Sequence, residues 1–254
     1  MPEEPREGPR GERLSVLQLV PNLVTIAGLC AGLTALRFAA AGHFEQAAAL
    51  VILAAVLDAF DGLIARKLDA ASPFGAELDS LADFFNFGVV PAFLVYELAL
   101  RGGADIGWTG ALVFSVCCCL RLARFNLTRD TPMVGRAHFV GVPAPAGAML
   151  GLLPVFLDLA GLWTAGDFRW LVAPWLAFVG FLMICRLKTF ALKGLKVTRG
   201  QARALLVGVA LLVGLTFSRF WLLMVLVDVA YIGSLGLALV RARRIGAEAQ
   251  AAGE

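Results

Sequence analysis

Residues 58–83 read DAFDGLIARKLDAASPFGAELDSLAD. Asp58, Asp61, Asp69, Glu77, Asp79 and Asp83 crowd into this stretch, yet the chain on either side is almost wholly apolar. A charge in the hydrocarbon region of a bilayer costs about 2.5–3.5 kcal/mol on insertion scales, so carboxylates placed there need a compensating partner. Their spacing says how they are used. Asp58 and Asp61 lie at i and i+3, with Ala65 at i+7, and Asp79 and Asp83 lie at i and i+4, with Gly75 one turn earlier. Each set shares one helix face. Two antiparallel helices joined by the Pro-containing turn KLDAASP therefore aim four carboxylates into one cleft.

The flanking sequence sets the solvent for that cleft. Of 254 residues 59% are hydrophobic and 16% charged, with a mean hydropathy of +0.81, which excludes an ordinary soluble domain and points to an all-α polytopic membrane protein. Windows long enough to cross about 30 Å of hydrocarbon are read at 22–41, 46–66, 77–99, 107–126, 142–160, 169–189, 203–219 and 220–240, eight in all. With a cytosolic N-terminus, only Arg37, Arg101, Arg169 and Arg219 of the 22 Lys and Arg residues fall on the far side, as the positive-inside rule demands. Both termini and the Asp-rich cleft then face the cytosol, and the plasma (inner) membrane is the expected location. Residues 1–13 are read as a disordered cytosolic N-terminus without a secretory signal, and 241–254 as a cytosolic tail.

Four carboxylates this close repel one another unless cations neutralise them. Hard oxygen ligands suit Mg²⁺ or Mn²⁺, and a pair of such ions about 3.5–4 Å apart can clamp the attacking and leaving oxygens of a phosphoryl transfer. Gly62 and Ala65 leave the helix surface low enough for a bulky ligand, and Arg66 can fork onto a phosphate. These features suggest chemistry on a pyrophosphate. Cys117, Cys118 and Cys119 point about 100° apart on a helix and cannot chelate one metal; they are read as packing residues, with no disulfide framework implied. A transporter would spread its intramembrane carboxylates through the bilayer depth; here they gather at one face.

The pattern Asp58-x2-Asp61-Gly62-x2-Ala65-Arg66-x8-Gly75-x3-Asp79-x3-Asp83 resembles the complete signature of the CDP-alcohol phosphotransferase family. That resemblance implies a six-helix catalytic core, here 14–200, followed by a C-terminal transmembrane hairpin at 201–240, and a homodimer. It also implies Asp58, Asp61, Asp79 and Asp83 as metal ligands, with Asp83 as general base. Asp58, Asp61, Gly62, Ala65, Arg66 and Gly75 would contact the CDP moiety. PNLVTIAGLCAG (21–32), SLADFFNFGVVPA (80–92), RLARFN (121–126), HFVGVPAPAGA (138–148) and RLKTFALKG (186–194) further resemble the serine-accepting branch, so CDP-diacylglycerol and L-serine are the implied substrates and membrane lipid the surroundings. The branch that accepts glycerol 3-phosphate shares the signature and is the alternative. No nucleic-acid partner is expected.

A serine carboxylate needs a positive group. Arg121, Arg124, Asn126 and Lys193 are candidates for it or for the lipid phosphate; the competing reading makes the basic ones positive-inside anchors. Asn22 and Thr25 either border the nucleotide or cap the first span. Gly28 and Gly32 are read as a helix-packing pair, and Asp228 as a polar packing contact.

Overall fold

The computed structural model describes residues 16–68, 72–102, 105–129, 139–185, 188–189 and 214–251. They form a helical bundle of α1 (Val16–Ala40), α2 (Phe44–Lys67), α3 (Pro73–Leu100), α4 (Ile106–Arg129), α5 (Ala144–Leu159), α6 (Arg169–Ile184) and α7 (Phe220–Ala251). A 3-10 turn, Ala165–Phe168, leads into α6. A minimal antiparallel pair forms between β1 (Phe139–Val140) and β2 (Lys188–Thr189).

Six stretches among the described residues are long and apolar enough to span a membrane: Leu19–Ala40, Phe44–Ile64, Pro73–Leu100, Ile106–Leu127, Ala165–Ile184 and Phe220–Ala238. They correspond to six of the eight expected spans, which makes the chain an integral membrane protein. The expected span at 142–160 is α5, whose 16 residues cover only about 24 Å. The one at 203–219 lies outside the described residues up to 213, and 214–218 are helical. Helix α1 starts at Val16, six residues before the expected boundary, and α7 runs on to Ala251, so the helix extends into the stretch read as a tail.

Small residues set the distances between helices. Helices α1 and α2 pack side by side through Ala35, Ala39, Ala47, Ala48 and Val51, all buried, and Gly42 (φ +79°) lets the chain reverse between them. Helices α4 and α6 approach through Gly110, where a Cβ would sit 2.8 Å from the Ala173 carbonyl oxygen, and Gly180, where it would sit 3.1 Å from Phe114 Cα. Helix α7 closes on α5 by stacking Trp221 on Phe156, and the Trp221 indole N–H donates to Glu45 on α2 at 3.2 Å. Pro154 has no N–H for the Leu150 carbonyl, and the Trp175 indole N–H takes its place at 2.8 Å.

Helix α3 threads the centre, with Phe87, Val90, Leu94 and Val95 fully buried. It is not uniform. Pro73–Asp83 is α-helical, Phe84–Val89 is a π turn, Val90–Val95 is α-helical again and Tyr96–Leu100 is a second π turn. Ser72 starts it as an extended N-cap whose Oγ accepts from Gly75 N–H at 3.0 Å, with Pro73 in the first turn.

The close approach at Gly110 carries a testable expectation. Gly110→Val forces the α4 and α6 backbones apart and should destabilise the fold by about 1–3 kcal/mol. Gly236→Val, at an open position on α7, should leave the thermal midpoint in detergent unchanged.

Candidate active site

Helix α2 ends at Lys67 and α3 begins at Pro73, and the site takes the C-terminal turns of the one and the first turns of the other. Asp58 and Asp61 from α2 and Asp79 from α3 converge there. One carboxylate oxygen of each lies within 4.8 Å of the others. Asp61 is buried at 5% exposure, whereas Asp58 and Asp79 are half-buried. Asp83, one turn deeper on α3, lies within hydrogen-bonding reach of the Asp58 carboxyl and in the field of Asp79 and Asp61. The four aspartates of the sequence pattern thus share one site, with three in the tight cluster and Asp83 at its inner edge.

Thr25 on α1 supplies a contact that spacing alone does not reveal. Its hydroxyl is placed 2.7 Å from Asp61 Oδ2 and 3.1 Å from the Pro21 carbonyl oxygen one turn back. Donating to the carboxylate fixes which way Asp61 faces. Since α1 begins at Val16, neither Asn22 nor Thr25 caps its entry. Asn22 instead lies against the start of α3, where a Cβ on Gly75 would come within 2.7 Å of its Oδ1. Gly75 therefore lets the N-terminal turn of α3 seat on α1.

Gly62 and Arg66 are one turn apart near the C-terminal end of α2, and the Arg66 side chain folds back until Nη1 lies 3.5 Å from where a Gly62 Cβ would stand. Ala65 is helical between them, and its side chain lies outside the described residues. The sequence candidates on α4 divide. The Arg121 guanidinium is in electrostatic range of Asp83, Cys118 and Tyr231 of α7, and its buried Nε has no hydrogen-bond partner. Arg124 donates to the Ile184 carbonyl oxygen at the end of α6 at 3.1 Å. The Asn126 amide donates to Ser80 Oγ at 3.0 Å, tying α4 to the residue that follows Asp79. Lys193 lies outside the described residues. Asp228, read as a packing contact, is buried at 3% exposure and its Oδ2 has no partner.

The donor set is all carboxylate oxygen, half-buried to buried, and open at one end to an exposed Arg. It fits hard divalent cations and no soft metal. Ser80 and the tie from Thr25 to Asp61 escape a reading by motif, because the partners lie on other helices and a helical periodicity does not name the neighbour.

Comparison with known proteins agrees with this geometry. A family model described as CDP-alcohol phosphatidyltransferase matches residues 18–185. A relative from Mycobacterium tuberculosis is 38% identical over 242 residues, covering 93% of this chain and 83% of its own length. One from Mycobacterium leprae is 44% identical over 185 residues, covering 70% and 60%, and one from Helicobacter pylori is 33% identical over 175 residues, covering 69% and 73%. All three carry the name CDP-diacylglycerol–serine O-phosphatidyltransferase. With the family model spanning more than half of its length and its aspartates gathered into one cleft, the chain belongs to the CDP-alcohol phosphatidyltransferase family.

Proposed function

We infer that this protein transfers the phosphatidyl group of CDP-diacylglycerol to the hydroxyl of L-serine and releases CMP. The observation that carries the reading is the convergence of Asp58, Asp61 and Asp79 beside Asp83, in a chain whose relatives bear that activity's name. Asp58, Asp61 and Asp79 would hold Mg²⁺ or Mn²⁺, with Asp83 reaching a second ion of a pair. Such ions neutralise the carboxylates and stabilise negative charge on pyrophosphate oxygens.

Each protein group then has a task. Arg66, with Gly62, Ala65 and Gly75, borders the CDP moiety, and its guanidinium forks onto phosphate. Arg121 presents a buried, unpartnered N–H beside Asp83 and pairs with the serine carboxylate. Asp83 accepts the serine hydroxyl proton as the serine oxygen bonds to the lipid-bearing phosphorus. The bond from that phosphorus to the bridging oxygen breaks, and its electrons leave with CMP. Thr25 keeps Asp61 in its orientation, and Asn22 and Asn126 support the two ends of the catalytic segment of α3. The distribution of Lys and Arg supports a cytosolic cleft and cytosolic termini, and the plasma membrane is the proposed location. The six-helix core at 14–200 works as a homodimer, with 201–240 as an added transmembrane hairpin.

The direct test is CMP release by purified protein supplied with CDP-diacylglycerol and either acceptor. Release should require L-serine together with Mg²⁺ or Mn²⁺; equal release with glycerol 3-phosphate would move the assignment to the other branch. Asp83→Asn should keep CDP-diacylglycerol binding and lose about 10²–10⁴-fold in kcat, the usual worth of a general base. Thr25→Val keeps the shape of the side chain but not its O–H, and should weaken Mn²⁺ affinity about 10–100-fold, as loss of a group orienting a ligand does. Calorimetric Mn²⁺ titration measures it without turnover.

A further inference from the structure

Asp83 is the last residue of an ordinary α-helix, and the π turn Phe84–Val89 begins immediately after it. In an unbroken α-helix Asp79, Asp83, Val90 and Leu94, spaced by four, seven and four, would share one face. A π turn takes up one extra residue, which rotates everything beyond it by about 100°. The two halves of α3 consequently pack differently: Pro73–Asp83 lies on α1, and Val90–Val95 packs on α5 as well as α1. The insertion lets a single helix present carboxylates to α2 at one end and an apolar face to the core at the other.

The turn is fastened on two sides. On α1, Gly32 leaves a notch filled by the Asn86 side chain; a Cβ on Gly32 would overlap the Asn86 amide oxygen. Asn86 is buried at 3% exposure and that oxygen has no hydrogen-bond partner, an arrangement that costs stability. On α4, Ser115 Oγ donates to the Gly88 carbonyl oxygen at 2.9 Å, and a Cβ on Gly88 would press on Cys118 at 3.2 Å.

We propose that this pinned π turn sets the rotation of Asp79 and Asp83 against Asp58 and Asp61, and that Asn86 and Gly32 are positioning residues for the reaction. The proposal rests on the functional reading above, which the wild-type chain tests separately through serine-dependent CMP release. The experiment compares the full-length wild type, Gly32→Ala and the double variant Gly32→Ala/Asn86→Ala in detergent. Thermal midpoint, affinity for Mn²⁺ alone, and kcat and KM at saturating Mn²⁺ are measured for each.

A methyl group at 32 displaces Asn86 and turns the carboxylates. Per folded molecule, Mn²⁺ binding should weaken at least tenfold and kcat should fall at least tenfold, with KM for serine within threefold. Removing the Asn86 side chain makes room for that methyl, and the double variant should recover at least fivefold in both. Wild-type Mn²⁺ affinity and kcat in folded Gly32→Ala, or a lower thermal midpoint as its sole change, would overturn the proposal, as would a double variant no better than the single one. Where Gly32→Ala does not fold, Asn86→Ala empties the notch without a clash. It should then weaken Mn²⁺ binding at least threefold, and an unchanged affinity refutes the role.

Discussion

Mutual repulsion among Asp58, Asp61, Asp79 and Asp83 is the constraint on which this fold turns. Three carboxylate oxygens within 4.8 Å, in a cleft walled by apolar helices, are tolerable only beside positive charge. The surrounding architecture serves that end. The end of α2 and the start of α3 bring Asp58, Asp61 and Asp79 together, Thr25 holds one carboxylate in place, and Arg66 and Arg121 bring positive charge to the exposed and buried sides of the cleft. On the proposed reading, affinity for the nucleotide would follow from the same crowding, because a divalent cation held by these aspartates would also attract phosphate oxygens.

Much of this was legible before any coordinates. The i, i+3 and i, i+4 spacings of the aspartates specify which helix face each occupies, and a reversal between the two helices leaves one way for those faces to meet. What stayed hidden depends on the rotation and tilt of neighbouring helices. Thr25 and Asn22 lie on the same face of α1, but nothing in their spacing tells that one reaches Asp61 and the other Gly75. Asn126 reads as a candidate for the acceptor, and its spacing does not tell that its amide donates to Ser80 on α3. Gly28 and Gly32 read as a helix-packing pair, but that reading does not tell that the group seated at Gly32 is the Asn86 side chain.

The π turn was hidden for a different reason. Gly88 within FFNFGV and Pro91 just after it mark an irregular stretch, but neither announces an extra residue per turn. Such turns form when packing on several sides outweighs the poorer hydrogen-bond geometry. Here the α1 and α4 contacts on either flank supply that packing, and the Ser115 hydroxyl adds a hydrogen bond to the carbonyl oxygen of Gly88.

The α-helical run from Pro73 to Asp83 measures about 16 Å at 1.5 Å per residue, close to half the thickness of a hydrocarbon layer. With Pro73 at the membrane surface, the innermost aspartate would lie inside one leaflet. A double-chained lipid can arrive there by lateral diffusion with its tails still solvated by neighbouring lipids, and its product can depart the same way. Only the water-soluble reactants travel vertically, so supply of one substrate scales with its surface density and of the other with its bulk concentration.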